Sequence, residues 1–216
     1  MNFVLFIIFS LTVFLISLVG YKNFRSTTLY ALAIGGVVNA NFFHSVNYPI
    51  NCFGLPFGID SVIYTLFIFC VVVMYIKEGK KEAYTLAISS IIAIMFSALM
   101  QLIAQLLSKG STLIVWKSFL TFFASCLASV VAIIVMLEIF SRLLTKNSYL
   151  FLCFGVFVAN VINSLIYYPF NLIINDVPAN LGKIVLASII GKVIALVCAI
   201  LTLWIFNKID NKKTSK

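Results

Sequence analysis

The chain has 216 residues, of which 63% are hydrophobic and only 10% charged, with a mean hydropathy of +1.16 and a formal net charge of +9. That apolar share exceeds what a soluble domain of this length needs, and no P-loop is present to support ATP hydrolysis by that route. The basic balance invites a nucleic-acid reading, but the placement of the basic residues has a simpler cause, described below.

Seven apolar runs follow one another, at residues 3–20, 27–46, 58–76, 83–108, 115–144, 149–175 and 181–207. Each is close to the ~20 residues that a helix needs to cross a bilayer core. Lipid offers the backbone no hydrogen-bond partners, so only helices or closed barrels can span it, and these runs are far too long for barrel strands. The expected fold is an all-α integral membrane protein of about seven transmembrane helices. Residues 1–216 form one polytopic domain, with a core at about 27–207 and a basic cytoplasmic tail at 208–216. The first run is preceded only by Met1 and Asn2, and Ser17-Leu18-Val19-Gly20 is a poor cleavage site, so it reads as a span rather than a signal peptide.

The gaps between runs alternate in charge. Lys22 and Arg25, then Lys77, Lys80 and Lys81, then Arg142 and Lys146, and finally Lys208, Lys212, Lys213 and Lys216 fall on one side. The intervening gaps hold only Lys109 and Asp176. Basic flanks favour the cytoplasm, so the N-terminus is expected outside and the C-terminus inside. A topology signal of this kind accounts for the net charge without a nucleic-acid partner.

Polar side chains are costly inside hydrocarbon, so their positions carry information. In chain order, the second run carries the small residues Ala31, Gly35, Gly36 and Ala40, which permit close helix approach, either within the bundle or against another subunit. It then carries Asn39, Asn41 and His44 and runs on towards Asn47, Pro49 and Asn51; Asn41, His44 and Asn51 share a face if the helix persists past Pro49. The third run opens with Gly58 and Asp60, with Tyr64 one turn on, and is followed by Lys77, Glu78, Lys80, Lys81 and Glu82, expected as a solvated loop. Gln101 and Gln105 lie near the end of the fourth run, and Glu138 and Arg142 form an i, i+4 pair at the end of the fifth. Asn160, Asn163, Tyr167 and Asn171, spaced 3, 4 and 4, make one polar stripe along the sixth. Lys183 and Lys192 lie in the seventh, Lys192 near the midplane, where it cannot easily snorkel.

The hydrogen-bonding side chains of five helices concentrate in the outer half, while the inner halves are mostly aliphatic or aromatic, as at Val71–Val73 and Leu150–Leu152. The distribution describes an amide-rich pocket reached from outside, with Phe42, Phe43, Tyr64, Tyr167 and Tyr168 available to stack on a flat ring. Asn41, His44, Asp60, Tyr64, Gln101, Asn160, Asn163, Tyr167 and Lys192 are the candidate substrate-binding residues. Each has a plainer reading. Single intramembrane amides often only join helices, at about 0.6 kcal/mol each, and Asp60 can serve as an acid at a helix start. Cys52, Cys70, Cys126, Cys153 and Cys198 show no paired spacing and read as small apolar side chains. With one His and no metal-ligand spacing, no metal or cofactor is expected.

Several short stretches resemble the vitamin uptake transporter family, which includes queuosine-precursor transporters. They are Leu55-Pro56-Phe57-Gly58-Ile59-Asp60-Ser61 with Tyr64-Thr65-Leu66-Phe67, then Gly79-Lys80-Lys81-Glu82-Ala83, Ala159-Asn160, Asn163-Ser164-Leu165-Ile166-Tyr167, and a late helix containing Lys192. The resemblance covers about residues 27–207. It implies a six-helix core similar to the substrate-binding subunits of energy-coupling-factor transporters, preceded here by one extra helix. It also implies uptake of a small heterocyclic nutrient across a bacterial plasma membrane, with Asn160, Asn163 and Lys192 in the pocket. The chain departs from the queuosine-precursor branch in having Val72 and Ile76 where that branch carries acidic residues, and Asn163 where it tends to have Asp.

Three functions compete. The first is an importer of a queuosine precursor, another purine-like compound or a vitamin, with Asp60 and His44 the evident candidates for proton coupling. The second is a binding subunit that depends on separate ATPase and scaffold subunits. The third is a membrane assembly factor or an intramembrane enzyme, for which Ser188, four residues before Lys192, formally offers a Ser–Lys pair. No second signature supports catalysis, and the expectation is a protein that is not an enzyme.

Overall fold

The computed structural model describes the backbone of residues 2–46, 50–52, 55–107, 112–140, 142, 148–175 and 181–214, and the side chains of most of these except 40–46, 50–57, 112–115, 148–151 and 207–214. Seven long helices account for nearly all of it: α1 (Asn2–Phe24), α2 (Ser26–Val46), α3 (Asp60–Glu78), α4 (Lys80–Leu107), α5 (Thr112–Ile134), α6 (Ser148–Asn175) and α7 (Leu181–Thr214). Six of them, all but α2, contain windows long and apolar enough to cross a membrane. Large apolar side chains such as Leu5, Ile8, Phe96, Ile103, Phe123, Phe154 and Trp204 stand exposed on the bundle surface. An apolar exterior of that extent belongs against lipid. The chain is a multi-pass helical membrane protein.

The corners are tighter than the apolar runs predict. A single residue, Arg25, joins α1 to α2; it takes a positive φ of 52°, and its N–H returns to the Tyr21 carbonyl at 2.8 Å. Only Gly79 separates α3 from α4. Its φ of 98° and ψ of 176° lie in a region that is essentially restricted to glycine, and its N–H reaches the carbonyls of Met74 and Tyr75 at 3.1 and 3.2 Å. The expected solvated loop at Lys77–Glu82 is therefore two helix ends around one glycine. The basic tail is likewise helical as far as Thr214, because α7 runs on past the last apolar residue.

Between α2 and α3 the chain forms a short antiparallel hairpin, β1 (Ile50–Cys52) and β2 (Leu55–Phe57), paired Ile50↔Phe57, Asn51↔Pro56 and Cys52↔Leu55. Asn51 thus lies on a strand, so it does not continue the helical face of Asn41 and His44. The hairpin packs against α1 and α7. After Ile134, α5 widens into a π-helical turn over Val135–Phe140. Pro169 lies inside α6 without ending it, as proline can in membrane helices whose neighbours support the freed carbonyl.

α3 is the centre. It touches α1, α2, α4, α6 and α7, and every residue from Asp60 to Met74 is buried. A helix apolar on all sides has no lipid-facing stripe and is stable only when surrounded. Phe67 and Phe69 of α3 join Phe6 and Phe14 of α1, Leu29 of α2, and Leu86 and Ile94 of α4 in one fully buried cluster, with Phe14 and Phe69 edge to face at 5.3 Å.

At the basic end, carboxylates tie the helices together. Tyr21 of α1 donates to Glu78 of α3 at 2.8 Å. Glu138, on the π-helical turn, accepts from Tyr84 at 2.6 Å and pairs with Lys80 at 2.7 Å and Arg142 at 3.3 Å. The expected Glu138–Arg142 pair is present, but it is the weakest part of a four-residue clasp that joins α4 to the end of α5.

Replacing Gly79 with Ala tests the α3–α4 corner. Its Cβ would meet nothing within 4 Å, so any cost comes from backbone strain alone, ~1–3 kcal/mol. The melting temperature in detergent should fall. An unchanged value would mean that the corner relaxes freely and does not hold the two helices in place.

Candidate functional site

Midway along the bundle, α3, α5, α6 and α7 bring their polar residues into one buried layer. Asn160 and Asn163 of α6 and Lys192 of α7 are each only 3% exposed. Lys192 Nζ donates to Asn163 Oδ1 at 2.8 Å and to Ser164 Oγ at 2.9 Å, and it stands 5.6 Å from the centre of the Tyr64 ring. Asp60 is buried in the first turn of α3, one helical turn before Tyr64. An ammonium at mid-span needs replacements for water. It has two oxygens and an aromatic face.

The direction of each bond follows from where each proton can go. Thr65 Oγ1 donates to the Ser61 carbonyl at 2.7 Å, so it accepts from Asn160 Nδ2 at 3.2 Å. That fixes the Asn160 amide, and its Oδ1 is left buried without a hydrogen-bond partner. On α5, Ser129 donates to the Ser125 carbonyl at 2.8 Å and accepts from Asn163 Nδ2 at 3.4 Å. Asn163 Oδ1 is thereby turned to Lys192. Ser125 Oγ hydrogen-bonds the Tyr64 hydroxyl. Ser164 donates to the Asn160 carbonyl at 3.0 Å and so receives Lys192, with Ser188 3.2 Å away. Lys192 thus reaches Ser188 only through Ser164, whose proton points to a carbonyl rather than to the amine. This is not the arrangement of a serine activated by a lysine base.

α3 enters this layer at a sunken level. Thr65 lies five residues from the start of α3, and its partner Asn160 lies fifteen residues from the end of α6. At ~1.5 Å per residue α6 rises about 15 Å beyond the first turn of α3. The positive end of α3 is therefore inside the bundle, where Asp60 opposes it. A Cβ on Gly58 would collide with the Asp60 carboxylate, so the glycine leaves the space that the carboxylate occupies. The hairpin leads into α3 at this level.

Of the sequence candidates, Asp60, Tyr64, Asn160, Asn163, Tyr167 and Lys192 share the layer. Tyr167 is buried, edge to face with Tyr168 at 5.2 Å, and packs on Ala124 and Ala128 of α5. Gln101 of α4 is half-buried and joins none of the hydrogen bonds described above. Asn41 and His44 lie on the last turns of α2, and their side chains are outside the described residues, as is that of Gln105. The hydroxyls of Thr65, Ser125, Ser129 and Ser164 escaped the sequence reading. Their signal was present as i, i+4 pairs, Ser61/Thr65 on α3, Ser125/Ser129 on α5 and Asn160/Ser164 on α6. Among the described residues no three His, Cys, Asp or Glu side chains gather as a metal site would require.

At the seam between α6 and α7 lies a shallow, apolar crevice bordered by Phe157, Asn160, Val161, Ile189, Lys192, Val193 and Leu196; it leaves no room for a water-sized molecule, and the polar atoms of Asn160 and Lys192 are not exposed in it. The chain matches no known protein family, no curated protein and no solved structure.

Thr65→Val keeps the shape of the α3 side chain and removes the acceptor for Asn160 Nδ2. A buried donor left unpaired costs ~1–3 kcal/mol, so the melting temperature should drop. Thr65→Val combined with Asn160→Leu should recover part of the loss, since both partners are then apolar. Equal stability of Thr65→Val and the parent would show that the 3.2 Å contact contributes nothing.

Proposed function

We propose that the chain is a membrane transporter importing a small heterocyclic nutrient, of queuosine-precursor, purine-like or vitamin type, and that it belongs with the vitamin uptake transporters it resembles in sequence. The observation that carries this reading is the Lys192 layer. A buried amine at mid-span, supported by four helices and adjoining an unsatisfied amide oxygen, is more than helix association requires and suits a polar ligand. The charge alternation of the corners supports seven spans, with the N-terminus outside and the C-terminus inside a bacterial plasma membrane. In that orientation the sunken start of α3 and its hairpin face outward, and the Glu138 clasp lies on the cytoplasmic side.

A second reading has its own observation. On α2 the small residues divide. A Cβ on Gly36 would sit 3.2 Å from Ile63 of α3, which is close internal packing, whereas one on Gly35 would meet nothing within 4 Å and Ala31 is exposed. The Ala31/Gly35 face thus points away from α3, as a docking surface for scaffold and ATPase subunits would. The chain is then the binding subunit of a larger importer.

Thermal stabilisation of the purified chain by deazapurines, purines and water-soluble vitamins tests ligand binding. At 100 times its Kd, a ligand adds ~2.7 kcal/mol. A stabilising ligand should lose its effect in Lys192→Ala and Asn163→Ala. Uptake of that ligand by proteoliposomes holding this chain alone supports the transporter, and binding without uptake supports the subunit. A well-folded protein stabilised by none of the compounds would sink both.

A further inference from the structure

We propose that the α1–α2 corner is a lipid site, in which Lys22 and Arg25 hold the phosphate of an anionic phospholipid and Phe24 packs on its acyl chain. The inference concerns the lipid-facing surface of the bundle and is independent of the transport reading above.

The two one-residue corners at this end of the bundle solve the same backbone problem differently. Gly79 takes the positive φ of the α3–α4 corner, 98°, as glycine does without a Cβ penalty. The α1–α2 corner instead puts Arg25 at a φ of 52°, where an L side chain is disfavoured and glycine is not. The arginine side chain is exposed and does not shape the turn, whose bond runs from the backbone N–H to the Tyr21 carbonyl and is open to any residue but proline. The strain is thus carried by a residue whose distinct contribution is a charge at the end of an apolar helix.

Charge at this end is unbalanced. Glu138 is taken by Lys80 and Arg142, and Glu78 receives its proton from Tyr21, a neutral donor, at 2.8 Å. Among the described residues Lys22, Arg25, Lys77 and Lys81 stand exposed against Glu78 and a half-buried Glu82. Lys22 Nζ lies 5.9 Å from the centre of the Phe206 ring of α7, which places its charge at the seam between α1 and α7.

The surroundings of the two cations select a lipid. Phe24 lies between them in sequence and is 69% exposed, and Trp204 of α7 is 60% exposed two residues before Phe206. Aromatic side chains at the ends of spans settle at headgroup level, where lysine and arginine reach phosphates. Further along the same helices, Ile16 and Val19 of α1 and Val197 and Leu201 of α7 are exposed apolar surface for an acyl chain. A soluble phosphate would satisfy the cations and leave Phe24 in water, whereas a phospholipid satisfies both. The α3–α4 corner has a similar pair in Lys77 and Lys81, but after them no large apolar side chain among the described residues is exposed before Ile88. That corner attracts an anionic surface without seating an acyl chain.

The test uses the full chain in detergent and in nanodiscs of phosphatidylcholine with and without phosphatidylglycerol. Native mass spectrometry counts retained lipid, and the melting temperature reports stabilisation. Phosphatidylglycerol should be retained and should raise the melting temperature, and phosphatidylcholine should do neither. A basic side chain beside an anionic headgroup changes affinity about fivefold, so Lys22→Gln with Arg25→Gln should weaken retention ~25-fold. Lys77→Gln with Lys81→Gln makes the same charge change at the other corner and should leave retention close to that of the parent. Phe24→Ser keeps both cations and should also weaken retention. Equal losses in the two double variants would mean a diffuse surface charge and overturn the site. Full retention in Phe24→Ser, or stabilisation by glycerol 1-phosphate as large as that by the lipid, would overturn the acyl-chain contact and with it the inference. Equal retention of the two phospholipids would overturn it outright.

Discussion

The architecture turns on one amine. Lys192 is near the middle of the apolar stretch of α7, Gly182–Phe206, too far from either surface to snorkel, and 3% exposed. A charge there is tolerated only if the protein supplies what water would have supplied. Each substitute makes a further demand. Asn163 can turn its oxygen to Lys192 only because Ser129 takes its Nδ2, and Ser129 can do so because its own proton goes to the Ser125 carbonyl. Ser164 can accept from Lys192 because its proton goes to the Asn160 carbonyl. The requirement thus spreads from α7 to α6 and α5, and through Tyr64 and Asp60 to α3. Hydroxyls that bond back one turn are ordinary in membrane helices. Here the back-bond fixes the hydroxyl as an acceptor, which gives the whole layer a direction.

The central place of α3 follows from the same demand. A helix that meets α6 and α7 and carries Asp60, Tyr64 and Thr65 on its first turns cannot present a lipid face, and Asp60–Met74 is buried without interruption. Placing Tyr64 against Lys192 and Thr65 against Asn160 requires α3 to start well below the end of α6. The chain must descend into the bundle before the helix begins, and the hairpin with Gly58 makes that descent. A two-stranded element satisfies its own backbone where a disordered loop would leave carbonyls and amides unpaired, so it is a suitable way to sink the start of a helix.

How much of this was legible in the sequence depends on the kind of signal. The helices were legible because a bilayer-length apolar run has few alternatives, and Asn160, Asn163 and Lys192 were legible because amides and amines in such runs are rare. The hairpin was not. Residues 50–57 are too short and contain Pro56, so their hydropathy merges with the neighbouring runs. The Lys77–Glu82 stretch looked like a loop because it is densely charged; in the fold those charges sit on helix ends, where Glu78 meets Tyr21 and Lys80 meets Glu138. The hydroxyls were overlooked for a physical reason. Serine and threonine in a membrane helix satisfy themselves locally, so composition cannot tell which of them also face a neighbour. That depends on crossing geometry, which puts Ser129 beside Asn163 and Thr65 beside Asn160.

Two atoms leave the layer incomplete, Asn160 Oδ1 on α6 and Ser61 Oγ on the first turn of α3, both buried without a hydrogen-bond partner. Removing the first would have been simple: a leucine at 160 needs no acceptor and would free Thr65 from its second bond. The chain instead holds the amide rigidly, with its donor committed and its acceptor unpaired. A group held that way binds a donor more strongly than a mobile one, because its orientation is already set. It also ties the helices together: Asn160 holds Thr65 of α3, Asn163 holds Ser129 of α5 and Lys192 of α7 holds Asn163 and Ser164 of α6, so a shift of any one of these side chains is felt by four helices.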